Sequence, residues 1–160
     1  MLKHLTIRNY ALIKHLEMDP SANLNVITGE TGAGKSIMLG AIGLLMGNRA
    51  DTKVLWNENE KCITEGTFNL KGQHLKNIFL EEDLDFDATT VIRREISPGG
   101  KSRAFINDTP VTLEDIRREF GDTIAHLVGW RGSAFQFQVG PRDEKEVSGP
   151  SLDCARPGEH

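Results

Sequence analysis

Gly29-Glu30-Thr31-Gly32-Ala33-Gly34-Lys35-Ser36 fits the pattern G-x-x-x-x-G-K-[ST] at every required position. Its residue types divide the work of holding a phosphate group. Gly29, Gly32 and Gly34 permit backbone angles that a Cβ would resist. Successive N–H groups can then converge on an anion. Lys35 has the reach for β- and γ-phosphates, and the Ser36 hydroxyl can ligate Mg²⁺. A helix starting here adds its positive N-terminal pole. Four constrained positions coincide by chance in roughly one chain of this length in a hundred. The flanks raise the specificity further. Leu24-Asn25-Val26-Ile27-Thr28 is the short, mostly apolar run of a central parallel strand. Ile37 to Met46 is apolar on most of its surface, as a buried helix would be, and Gly47-Asn48 is its stop.

Outward from that core, Leu5 and Ile7 alternate with Thr6 and Arg8 in a half-buried first strand, and Ile13 to Met18 suits a second. Asp19-Pro20-Ser21 makes a turn. Beyond the helix, Cys62 to Leu70 alternates as a strand and ends at Lys71-Gly72; Leu75 to Leu84 reads as a short amphipathic helix. Thr89 to Ile96 is a strand by its β-branched content. Ser97-Pro98-Gly99-Gly100 turns it back into Arg103 to Asn107, a hairpin. Thr112 then caps a helix running to about Phe120, with Asp115 in its first turn.

The 160 residues suffice for one domain with a real core, and 38% apolar content is ordinary for a globular chain. No apolar run approaches a membrane span, and Met1 to Arg8 lacks the apolar stretch of a secretion signal. Cys62 and Cys154 are isolated, which suits reduced thiols in a cytosol. A formal charge of −4 argues against a chain whose whole surface binds nucleic acid. Arg93-Arg94 and Arg117-Arg118 read as solvated basic groups. The five histidines show no ligand spacing, so no structural zinc is indicated.

Several segments together resemble the bacterial RecN family of DNA repair proteins. They are Ile7-Arg8-Asn9-Tyr10-Ala11-Leu12-Ile13, the run from Leu24 to Ile37, Gly47-Asn48-Arg49-Ala50-Asp51, Ile92-Arg93-Arg94-Glu95-Ile96, and Ser102 to Val111. The resemblance covers roughly residues 1 to 120. It implies an α/β P-loop NTPase fold: an SMC-type ABC ATPase half-head with an antiparallel β lobe. The expected site is Gly29, Glu30, Thr31, Gly32, Ala33, Gly34, Lys35 and Ser36 for ATP, with Ser36 on Mg²⁺. The implied partners are a second head, a C-terminal half that completes this one, and DNA bound through the complete protein. The implied place of action is the bacterial cytoplasm, at the nucleoid.

The sequence also departs from the family pattern. It has no run of four apolar residues followed by Asp-Glu, the Walker B carboxylates. Ile78-Phe79-Leu80-Glu81-Glu82-Asp83 comes nearest, with three apolar residues at helical spacing. A Leu-Ser-Gly-Gly signature and a heptad-rich coiled coil are missing too. His126-Leu127-Val128-Gly129 stands where the family has a His-Gln segment. The expected organisation is therefore a half-head over residues 1–120, with family sequence ending near Ile124. Residues 121–160, rich in Gly and Pro, form a divergent and partly disordered tail. Binding with little hydrolysis is expected from this chain alone. The rival readings are a P-loop small-molecule kinase, with the arginine pairs as its lid, and a non-catalytic dimerisation module.

Overall fold

The computed structural model describes residues 1–21, 25, 32–50, 52–70 and 73–127. Among the described residues, six strands form one antiparallel sheet in the order β2-β1-β3-β4-β5-β6: β1 is Leu2–Tyr10, β2 Ile13–Met18, β3 Cys62–Asn69, β4 Thr89–Ile96, β5 Ser102–Ile106 and β6 Thr109–Val111. This is the expected antiparallel lobe. The strand expected over Leu24 to Thr28 lies outside the described residues.

Alternation decides which face is buried. In β3, Cys62, Thr64 and Phe68 are buried while the residues between them are half-exposed, and β4 repeats the pattern with Thr90, Ile92, Arg94 and Ile96. Antiparallel register aligns these into transverse rows. One row runs Leu16, Ile7, Thr64, Arg94, Ala104, Val111 across all six strands. A one-residue slip would turn every such row to solvent, so burial itself fixes the register.

Two tight hairpins set the outer strands, one through Ala11-Leu12 between β1 and β2. Asn107 and Asp108, both at positive φ (47° and 66°), form a two-residue loop between β5 and β6. Asn and Asp tolerate that region, and a loop of this kind matches the strand twist. β6 itself is three residues containing Pro110, too short for an alternation signal.

Helix α1, Gly32–Leu45, lies on the inner face, with Met38, Ala41, Ile42, Leu44 and Leu45 buried. Gly66 gives it room: a Cβ there would stand 2.9 Å from Leu45 Cδ1 and 2.7 Å from the Phe68 ring. Helix α2, Gln73–Glu81, matches the expected amphipathic segment, with Ile78 and Phe79 buried.

Thr112 caps the last helical segment through a capping box: its hydroxyl accepts from Asp115 N–H at 3.1 Å, and its own N–H donates to the Asp115 carboxylate at 2.9 Å. The segment runs on as α3 (Leu113–Asp115), a π-helical turn (Ile116–Phe120) and α4 (Gly121–Leu127), past the end expected near Phe120. Gly121 does not break it, because its backbone is right-handed helical (φ −56°, ψ −50°) and buried Ile116, Phe120 and Ile124 hold the turn. Residues 128–160, most of the expected tail, lie outside the described residues.

Candidate nucleotide-binding helix

α1 begins inside the glycine-rich motif. Gly32, Ala33, Gly34, Lys35 and Ser36 form its opening turns, while Gly29, Glu30 and Thr31 lie outside the described residues. Ser36 is exposed. No acidic residue occupies the first turn of α1, so no carboxylate within the helix neutralises its positive pole. An anionic phosphate suits that environment.

At its other end α1 stops as Gly47-Asn48 predicts. Asn48 N–H donates to the Gly43 carbonyl at 3.0 Å and Gly47 N–H to that of Leu44 at 3.2 Å, with Gly47 at φ +87°. This is a Schellman cap. Tyr10, at the end of β1, packs beneath Gly40 in mid-helix.

The residues around the motif divide into anchors and surface. Asn9 is buried, at φ 55°, and its side chain clamps the loop after α1. The amide nitrogen donates to the carbonyls of Asn57 (3.0 Å) and Glu60 (2.9 Å), and the oxygen accepts from Asn57 N–H (2.6 Å). Neighbouring Arg8 is exposed and pairs with Glu17 at 3.6 Å. Arg49 is exposed beyond the helix stop, and Trp56 is 38% exposed on the clamped loop.

The arginine pairs are not alike. Arg93, on the outer face of the sheet, meets Asp108 at 2.9 Å, Glu95 at 3.3 Å and Glu65 at 3.6 Å, and stacks 4.7 Å from the Phe105 ring centre. Arg94 is fully buried rather than solvated. Its Nη2 donates to Ser102 Oγ at 2.6 Å, while Nε and Nη1 have no partner among the described residues. Burial lowers its pKa to about 10 and pushes the Cys62 thiol, close by, up to about 11. Alternation alone places residue 94 inward, and the charge of arginine argued the other way. Arg117 and Arg118 are also engaged, Arg117 with the Gly47 carbonyl at 3.0 Å and Arg118 with Glu82 at 3.4 Å.

Ile78-Phe79-Leu80-Glu81 is helical, with Leu80 76% exposed, so it is not the buried strand a Walker B carboxylate requires. Among the described residues no group of three or more His, Cys, Asp or Glu could hold a metal ion, and no helix is long and apolar enough to cross a membrane.

The model of the RecF/RecN/SMC N terminal domain matches residues 1–126. The chain belongs to this family. It is 37% identical over 137 residues to the DNA repair protein RecN of Haemophilus influenzae, covering 83% of this chain and 24% of that protein. The chain thus spans about a quarter of the length of that curated relative. Among solved structures, it is similar to a chain from work on the structural biochemistry of ATP-driven dimerization and DNA stimulated activation of SMC ATPases. That match has a TM-score of 0.60 at 20% identity, over 79% of this chain and 80% of that one. The SMC head domain from Thermotoga maritima aligns with a TM-score of 0.57 at 22% identity, over 74% of this chain and 41% of that domain. The fold is therefore that of the SMC-type P-loop ATPase head, as expected from the segments around the motif.

Proposed function

We propose that this chain is the MgATP-binding N-terminal part of a RecN-like ATPase that acts in repair of DNA double-strand breaks. The observation that carries the reading is the P-loop sequence opening α1, on a sheet lobe of the family to which the chain belongs. In this reading the backbone from Gly29 to Lys35 cradles the phosphates, Lys35 meets the β- and γ-oxygens, and Ser36 ligates Mg²⁺. Residues 1–120 make the half-head. Residues 121–160 follow as a divergent tail, with Gly121–Leu127 at the junction.

Phosphoryl transfer needs positioning, charge stabilisation and a group that orients the attacking water. Lys35 and the cradle serve the first two. The sequence holds no Walker B run to serve the third, so hydrolysis by this chain alone is negligible. Engagement with a second head and with the completing half supplies the rest, and DNA is held by that assembly in the cytoplasm.

The test is equilibrium binding of a fluorescent ATP analogue with Mg²⁺ to this chain and to Lys35→Ala. Saturable binding that the substitution abolishes supports the reading. No binding by a folded sample of either protein counts against it and favours a dimerisation module.

A further inference from the structure

The C-terminal end of α1 sits on the π-helical turn Ile116–Phe120, and the seam between them is built for close approach. Arg117 Nη2 donates to the Gly47 carbonyl at 3.0 Å, just past the last turn of α1. A Cβ on Gly47 would stand 3.1 Å from Arg117 N and 3.2 Å from both Arg117 Cβ and the Leu113 carbonyl. On the facing side, a Cβ on Gly121 would stand 3.4 Å from the Met46 carbonyl. The π turn is itself fastened: Ile116 and Phe120 are buried, Phe120 meets Phe79 edge-on at 5.2 Å, and Arg118 reaches Glu82. π-Helical turns are rare, occur mostly as single turns within α-helices, and are frequent at functional sites.

We propose that Arg117 is a positioning residue for the phosphate-binding end of α1. The inference rests on the MgATP reading above. α1 is 14 residues long, a rod of about 21 Å. A tilt of about 3° at its C-terminal end therefore moves its N-terminal end by about 1 Å. The apolar contacts of Met38, Ala41, Leu44 and Leu45 hold the helix on the sheet but are non-directional. The Arg117 bond is directional and lies at the end of the lever, where a cation also suits the negative helix pole. Linkage makes the effect reciprocal: nucleotide held at one end of α1 steadies the Leu113–Leu127 helix at the other.

Arg117→Met keeps the aliphatic stem and removes the donors, whereas Arg117→Lys keeps a charged donor. The full chain and both variants are titrated with the fluorescent ATP analogue and Mg²⁺, the folded fraction being checked by circular dichroism. Amide exchange over Leu113–Leu127 is followed with and without saturating nucleotide. The methionine variant binds more weakly by up to about tenfold, the net size of one hydrogen bond being the ceiling on what can couple to binding. The lysine variant recovers most of that loss. Nucleotide slows exchange over Leu113–Leu127 in the unaltered chain and not in Arg117→Met. Unchanged affinity in Arg117→Met overturns the proposal, as does a lysine variant no better than methionine. Absence of binding by the unaltered chain removes the nucleotide reading and the proposal with it.

Discussion

Gly40→Ala tests whether α1 is seated on the sheet through Tyr10. A Cβ at Gly40 would stand 2.5 Å from the Tyr10 hydroxyl oxygen, 3.5 Å from Cζ and 3.7 Å from Cε1. The oxygen alone is in the way. Tyr10 is buried at the end of β1, so its ring cannot simply swing into solvent. In a helix interior, alanine is favoured over glycine by about 0.8–1 kcal/mol. Overpacking a well-filled site costs about 1–3 kcal/mol. Gly40→Ala alone is therefore neutral or destabilising by up to about 2 kcal/mol. Tyr10→Phe removes the oxygen and leaves the ring at ordinary contact distance. In that background Gly40→Ala shows its full helix gain and stabilises by about 1 kcal/mol. The sign reverses, with a coupling of about 1–3 kcal/mol. Urea unfolding of the four proteins of the cycle, followed by circular dichroism, measures it. Coupling below about 0.5 kcal/mol, the range of independent sites, would refute the seating of α1 on Tyr10.

Thr112→Ala removes the side-chain half of the capping box and costs about 1 kcal/mol at neutral pH, read from the urea midpoint. Hydrogen bonding to Thr112, its side chain first, holds the Asp115 carboxyl below the ordinary carboxylate range. Its stabilising contribution is therefore present above about pH 4 and is lost as pH falls through the lower folded value. The gap between parent and variant narrows in acid; a gap that persists fully there would contradict the assignment. Arg94→Met replaces a buried guanidinium, two of whose groups have no partner among the described residues, by an apolar side chain. The variant is neutral or more stable by about 1–4 kcal/mol. Loss of more than about 3 kcal/mol would mean that Arg94 is fully paired.

Much of the sheet was legible because its signals are local. β2 and β4 match the expected spans, Ile13–Met18 and Thr89–Ile96, since alternation and β-branched content act within a few residues. The Thr112 cap was readable for the same reason: Ncap chemistry involves residues three apart. β6 was not, because three residues with a proline carry no alternation. The helix beyond Phe120 was missed because Gly121 argues for a stop in isolation. Its helical backbone is held by packing of buried Phe120 and Ile124.

The sequence by itself determined the glycine-rich motif, the helix it opens and the stop at Gly47-Asn48. Each follows from backbone freedom or capping within a single turn. It also determined the family, through segments specific enough to be recognised around a common motif. Only the tertiary structure decided what those pieces rest on. Asn9, exposed by composition alone, became the buried clamp on residues 57–60. Arg94 went inside because its neighbours in register are core residues. Arg117, ordinary as a surface residue, came to hold the Gly47 carbonyl just past the far end of α1. These roles join residues as many as 70 positions apart. Such pairings arise when the chain buries its apolar faces, and local propensity carries no trace of them.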